Sequence, residues 1–265
     1  MNIVLFNNEE ILEPLSLFDE RAQHILKVLK KQEGDYFEAG IIHGMAGKAH
    51  IQCIDERGIH FHFTPSSNGK PLYPISVIIG FPRPIQLKRA FRDMAGLGVS
   101  DIFLVGTELG EKSYLSSRIV KEGAAYEALK DGCAQAKSTH IPNLSVHDDS
   151  ESCLDYLASQ NKHYQNPSSI KIILDPNKGK GSLQSLFAQN YGAVDAVLDY
   201  YYMGQTDTAP HIFLSIGSER GWTENELSMF MQHSFAPCLL GERILRTETA
   251  ATTAVSIILS QLAML

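Results

Sequence analysis

The sequence is poor in features that mark several common protein classes. Its 265 residues hold 4 cysteines, Cys53, Cys133, Cys153 and Cys238, far apart and with no C-x-x-C pair. That argues against a disulfide framework or a zinc knuckle and fits a reducing cytoplasm. Long hydrophobic runs are missing too. The most apolar stretch, residues 250–265, is short and interrupted by Thr, Ser and Gln, so no bilayer span is expected. Residues 1–10 turn acidic after a brief apolar run and do not read as a signal peptide. No G-x-x-x-x-G-K-[ST], G-x-G-x-x-G or G-x-S-x-G element occurs, which removes the simplest nucleotide-loop and nucleophile-elbow readings. Internal repeats and low-complexity tracts are absent. Positive charge is scarce, with 23 Lys and Arg against 30 Asp and Glu and a net charge of −7. A chain-wide basic footprint for nucleic acid is excluded, and only a local patch is left.

What remains is an ordinary globular composition, 44% apolar and 20% charged, long enough for one large or two smaller domains. The turn formers of residues 64–71 read as a linker, dividing a module of residues 1–70 from residues 71–265. In the first module a helix is expected over Glu20 to Lys31, followed by strands at Asp35 to Ala39, Ala49 to Ile54 and Gly58 to Phe63. We read it as a compact β-barrel-like unit. Beyond it, strand-like runs at Ile75–Ile79, Ile102–Val105, Ile170–Leu174, Ile212–Ile216 and Pro237–Leu240 alternate with helical patterns near 85–97, 114–137, 182–189, 223–233 and 247–264. Such alternation predicts βαβ units and a mainly parallel sheet, with ligands bound beyond the carboxyl ends of its strands.

Three loops follow such strands. Ile216, Gly217, Ser218, Glu219, Arg220 and Gly221 precede a T-x-x-E capping box, Thr223 to Glu226. This segment reads either as a plain strand-to-helix turn or as a backbone cradle for a ligand. Leu239, Leu240 and Gly241 lead to Arg243, Ile244, Leu245 and Arg246, before a helix containing Glu248. An apolar pair beside exposed amides suits a flat aromatic ligand, and the arginines suit phosphate or carboxylate; a turn with surface arginines is the alternative. The stretch after Leu174, residues 175–182, reads as a turn that could also wall a pocket. Residues 250–262 are apolar or small on nearly every side, as in a helix buried on two faces, one of them against a second subunit. Arg83, Lys88, Arg89 and Arg92 cluster at a helix start, either as a solvated face or as an RNA backbone contact. His60 and His62 share a strand face near His43 and His50 without an acidic ligand at metal-like spacing, and no metal site is expected.

Together the two C-terminal loops resemble the signatures of the RsmE-type 16S ribosomal RNA uridine-N3 methyltransferases, of the SPOUT class. Residues 239–250 match Leu-Leu-Gly-x-Arg-Ile-Leu-Arg-Thr-Glu-Thr-Ala, and Ile216 to Glu226 resemble the other signature. Residues 23–30, Leu97 to Val99, Ile141–Pro142 and Leu174 to Pro176 extend the likeness. The resemblance implies an α/β fold, a SPOUT-type parallel sheet with a C-terminal trefoil knot, after a PUA-like N-terminal barrel. It implies S-adenosylmethionine held by Leu174, Ile216, Gly217, Ser218, Gly221, Leu239, Leu240, Gly241, Ile244, Leu245 and Arg246. It implies a cytoplasmic homodimer acting on ribosomal RNA or the small ribosomal subunit, with RNA contacts from His24, Lys27, Lys30, Arg83, Arg89 and Arg243. Arg246, Glu248 and Glu219 are the implied catalytic groups, the arginine stabilising negative charge and a carboxylate accepting the proton of uridine N3. The chain departs from the family at Asp93, Gly96, Ala134, Ser138 and Arg220, the last standing where the family has a glycine. Two alternatives stay open: a divergent SPOUT methyltransferase acting on another RNA, and a cofactor- or RNA-binding relative without transferase activity.

Overall fold

The computed structural model describes residues 2–114, 117, 123–203 and 208–265. The chain divides into two compact units, one of residues 1–72 and 129–141, the other of residues 73–128 and 142–265.

In the first unit, β1 (Val4–Phe6) runs parallel to β2 (Tyr36–Ile41), and β3 (Ala46–Asp55) and β4 (Gly58–Ser67) continue antiparallel, giving the order β1-β2-β3-β4. Alternation sends Phe37, Ala39, Ala49 and Ile51 inward, where they bury with Phe6, Ile25 and Ile59. The expected linker begins later than residue 64, because β4 extends through Thr64 and Pro65 to Ser67. Proline is tolerated there since β4 is an edge strand and needs no outward amide. The helix expected over Glu20 to Lys31 is shorter: α1 (Glu20–Gln23) widens into a π-helical turn at His24–Val28 and stops before Lys30, whose φ is 52°. Arg21 anchors this turn, paired with Glu10 at 2.9 Å and Asp19 at 2.7 Å.

The second unit is built on a six-stranded, wholly parallel sheet. In chain order its elements are β5 (Tyr73–Gly80), α2 (Pro84–Gly96), β6 (Val99–Val105), α3 (Ala124–Ala136), β7 (Asn143–His147), α4 (Ser150–Gln160), α5 (Lys162–Gln165), β8 (Ile170–Leu174), α6 (Leu183–Gln189), α7 (Tyr191–Met203), β9 (Ile212–Ile216), α8 (Glu224–Gln232), β10 (Ala236–Cys238) and α9 (Thr247–Gln261). Only the first part of α3 belongs to this unit. Of the helix expected over 114–137, residues 115–116 and 118–122 lie outside the described residues.

The sheet order is β10-β8-β9-β5-β6-β7. Helices on both faces explain why β5 and β9 are mostly apolar, each with one buried serine, and why every residue of β9 is buried. Pro84 pre-sets the first turn of α2, and Leu87, Phe91 and Met94 fall on its buried side. Each such burial stabilises by about 1.5–3 kcal/mol. The strand order reverses between β5 and β9, so the crevice beyond their carboxyl ends is the favoured ligand position.

Candidate functional site

Three loops meet beyond β8, β9 and β10 around a cavity of about 310 Å³, within the range of small-molecule sites. The loop after β9 forms one wall. Gly221 donates its amide to the Ser218 carbonyl at 2.9 Å, closing a tight turn. Gly221 sits at φ 74°, where an L side chain is strained. Arg220 stays outside the positive-φ region, so the backbone there does not require the family's glycine. Gly217 is needed for space, since a Cβ would lie 2.8 Å from the Gly221 carbonyl carbon. Thr107 Oγ1 donates to Ser218 Oγ at 2.9 Å, and Thr247 Oγ1 donates to the Gly217 carbonyl at 3.3 Å. The loop is thereby tied to the end of β6 and to the start of α9.

The opposite wall is the segment from Leu240 to Arg246. It is irregular, and among the described residues none of its amides donates a hydrogen bond. No side chain caps the following helix, α9, so its first amides also lack a side-chain acceptor. Leu240 and Leu245 add apolar surface beside these donors. The third wall is the turn after β8. Asp175 Oδ1 accepts the amides of Asn177 at 2.8 Å and Lys178 at 2.7 Å. That turn is hydrogen-bonded along β10: Asp175 donates to the Cys238 carbonyl, Lys180 to that of Pro237, and Leu239 to that of Gly181. Burial beside this crossing pushes the Cys238 thiol up to about 11.

A buried carboxylate braces the far side. Glu226, 1% exposed, accepts the Thr223 amide at 3.0 Å, the Glu108 amide at 3.1 Å and the Ser150 hydroxyl at 2.9 Å. The capping box thus also fastens the β6 end and the start of α4 to α8. Asn225 donates to Glu108 at 2.7 Å and holds that carboxyl below the usual carboxylate range. A second cavity of about 460 Å³ lies beside this brace, lined by Glu108, Glu111, Asp148, Asp149 and Glu151. Its acidic wall disfavours an anionic ligand.

Of the residues expected from sequence, Leu174, Ile216, Gly217, Ser218, Glu219, Gly221, Leu240, Gly241, Arg243, Ile244 and Leu245 line the 310 Å³ cavity. Leu239 instead pairs with Ser182 behind it. Arg246 is the exposed N-cap of α9, and Glu248 is buried in the first turn of that helix. Glu219 lies 3.4 Å from Arg83. Arg89 is exposed on α2, and Lys27 and Lys30 are exposed in the other unit, where His24 is half-buried. The sequence reading missed Trp222, Thr247 and Ala250 on the lining. It named Glu226 only as a cap, because Glu108 and Ser150 are too distant in sequence to be linked to it. Among the described residues, no group of three or more His, Cys, Asp or Glu side chains could hold a metal, and no helix is long and apolar enough to cross a membrane.

Residues 68–259 match the RNA methyltransferase domain family. The chain is 40% identical to the ribosomal RNA small subunit methyltransferase E of Treponema pallidum, over 98% of this chain and 91% of that one. It is 33% identical to the ribosomal RNA small subunit methyltransferase E 1 of Borreliella burgdorferi, over 97% of each. Its fold matches that of the Neisseria gonorrhoeae ribosomal RNA small subunit methyltransferase E bound to S-adenosyl methionine, with a TM-score of 0.70 at 20% identity, over 98% of this chain and 97% of that one. The signature loops, the parallel sheet and these matches agree: the chain belongs to the RsmE-type family of RNA methyltransferases.

Proposed function

We propose that the chain transfers a methyl group from S-adenosylmethionine to N3 of a uridine in 16S ribosomal RNA. The carrying observation is the 310 Å³ cavity, where the two signature loops face each other and the amides of residues 240–246 are uncommitted. The residues fit the cofactor. Leu240, Ile244, Leu245 and the neighbouring amides suit an adenine ring, which needs apolar faces and main-chain partners at its edge. Asn177, Arg220 and Arg243 offer polar groups to the ribose and the amino-acid carboxylate. When bound, the cofactor supplies an electrophilic methyl group on a sulfonium.

The chain's own residues must then orient the uracil and handle the proton on N3. Arg246, exposed at the helix start, stabilises negative charge developing on the uracil edge. Glu248 and Glu219 are the two carboxylates proposed to accept the proton. Glu219 lines the cavity and lies 3.4 Å from Arg83, whereas Glu248 is buried in the first turn of α9 outside the lining, which makes Glu219 the stronger candidate. Splaying the base out of its stack costs a few kcal/mol, supplied by RNA contacts at Arg83, Arg89, Arg243, Lys27, Lys30 and His24.

Three structural elements belong to the same proposal. The turn of residues 175–182, hydrogen-bonded to residues 237–239, supports a trefoil knot formed with residues 239–246 before α9. The first unit is a PUA-like barrel. The working form is a homodimer, supported by the 86% exposed Ile244 and the 80% exposed Ile85. Its partner is ribosomal RNA or the small subunit, in the cytoplasm. Calorimetry with S-adenosylmethionine tests the cavity: one site per chain is expected, weakened at least tenfold by Gly241→Val. No binding by the intact chain contradicts the proposal.

A further inference from the structure

The outer face of the first unit's sheet carries a feature that neither folding nor solubility requires. Strand alternation points Tyr36, Lys48, His50 and His62 away from the core. The register sets Tyr36 opposite His50 and His50 opposite His62. One row across three strands therefore presents three flat rings in a line. The rings of Tyr36 and His50 are 4.7 Å apart and 33° from coplanar, and Tyr36 is 56% exposed. The next row, Glu38, Lys48 and Thr64, is what a merely solvated face looks like.

Beside Tyr36 a concavity of about 540 Å³ opens, and Lys31, Lys48 and Lys137 line it. They come from three separate stretches of chain: the segment after the π-helical turn, β3, and the end of α3. Two acids share the lining, Asp35 and Glu38. Asp35 is engaged by the Gln32 amide at 2.9 Å, and Glu38 lies across from Lys48 in the register. Elsewhere in the unit, Glu10 and Asp19 are held by Arg21.

Exposed rings beside spaced cations are what single-stranded RNA requires: bases stack on the rings while the backbone meets the lysines. A duplex keeps its bases stacked internally and cannot use the rings. We propose that this face is a single-stranded RNA site, with one base stacked on Tyr36 and His50 and flanking phosphates at Lys31, Lys48 and Lys137. The inference rests on the RNA substrate proposed above and names where an unpaired segment of it is gripped.

The test uses the full-length chain and a fluorescein-labelled oligouridylate 12-mer, read by anisotropy, with a 12-base-pair RNA duplex as comparison. Tyr36→Ala and His50→Ala should each weaken oligouridylate binding by about tenfold, as expected for loss of one stacked base. Tyr36→Phe should retain binding, and S-adenosylmethionine affinity should be unchanged in all three. Lys31→Gln, Lys48→Gln and Lys137→Gln combined should lower the slope of log affinity against log salt by about 2. Wild-type affinity in Tyr36→Ala, equal losses in Tyr36→Ala and Tyr36→Phe, tighter binding of the duplex, or no binding at all each overturns the proposal. Binding through Tyr36 without methyl transfer to small subunits would uphold this site and contradict the proposed function. Methyl transfer with a KM for subunits unmoved by Tyr36→Ala would do the reverse.

Discussion

Glu226 is the most informative single residue to perturb. Its carboxylate accepts three hydrogen bonds while 1% exposed. Glu226→Ala leaves the Thr223 amide, the Glu108 amide and the Ser150 hydroxyl without that acceptor. A hydrogen bond to a charged group contributes about 1.5–3 kcal/mol, and a stranded buried donor costs a similar amount. The three losses are not additive, so a total of roughly 3–5 kcal/mol is expected. Glu226→Gln keeps the shape but points an amide N–H₂ at one of the donors, which should cost about 1–3 kcal/mol. For a unit of this size each kcal/mol lowers Tm by about 2–4 °C. Glu226→Ala should therefore melt roughly 6–20 °C below wild type, and Glu226→Gln between the two. The chain carries its own reporter: the sole tryptophan, Trp222, is 6% exposed, packs 4.9 Å from the Phe230 ring and immediately precedes the capping box. Urea titration followed by its fluorescence reads this unit directly. A Glu226→Ala midpoint equal to wild type, or equal midpoints for the Ala and Gln variants, would refute the bracing role.

Acid should destabilise the second unit through His211. Burial, with the stacked His163 ring 3.9 Å away, holds its pKa down to about 4. The unfolded chain then binds the extra proton first, so the contribution is fully present above pH 6.5 and is lost as pH falls toward 4. Unfolding free energies from denaturation at pH 7, 5.5 and 4.5 should fall by about 2–3 kcal/mol in total, and less steeply in His211→Asn; superimposable profiles would sink this. At the cavity, Gly217→Ala should weaken S-adenosylmethionine binding more than Gly221→Ala. The first Cβ meets backbone at 2.8 Å, while the second meets nothing within 4 Å and adds only left-handed strain of about 1–2 kcal/mol; the reverse order in calorimetry contradicts the geometry. Arg246→Ala should cut methyl transfer at least a hundredfold, on the scale of losing one charge-stabilising donor, with cofactor affinity within about threefold. Unchanged transfer removes Arg246 from the mechanism.

The parallel sheet was legible because β5, β6, β8 and β9 are largely buried and read as mostly apolar runs, interrupted by Ser76, Ser100, Asp101, Lys171 and Ser215. By contrast, β7 is a half-exposed edge, with Asn143 and Val146 outward and Ser145 and His147 between; its polarity hides it. The helix α7 carries tyrosines and aspartates without a clean apolar stripe, so periodicity does not announce it. The site's two loops were visible through glycine placement and the matched signature. The Thr107–Ser218 and Thr247–Gly217 bonds were not, since they join segments 111 and 30 residues apart. Arg220 shows the same limit from the other side: it departs from the family pattern, yet its backbone tolerates any residue.

The identity of the methylated atom tests the proposed function most directly. Purified chain, S-adenosylmethionine and small ribosomal subunits lacking the modification should be incubated together and the 16S RNA digested for nucleoside mass spectrometry. 3-Methyluridine is expected with the wild-type chain and should be lost with Arg246→Ala. Cofactor binding accompanied by methylation of a different nucleoside, or by none, would contradict the proposed function.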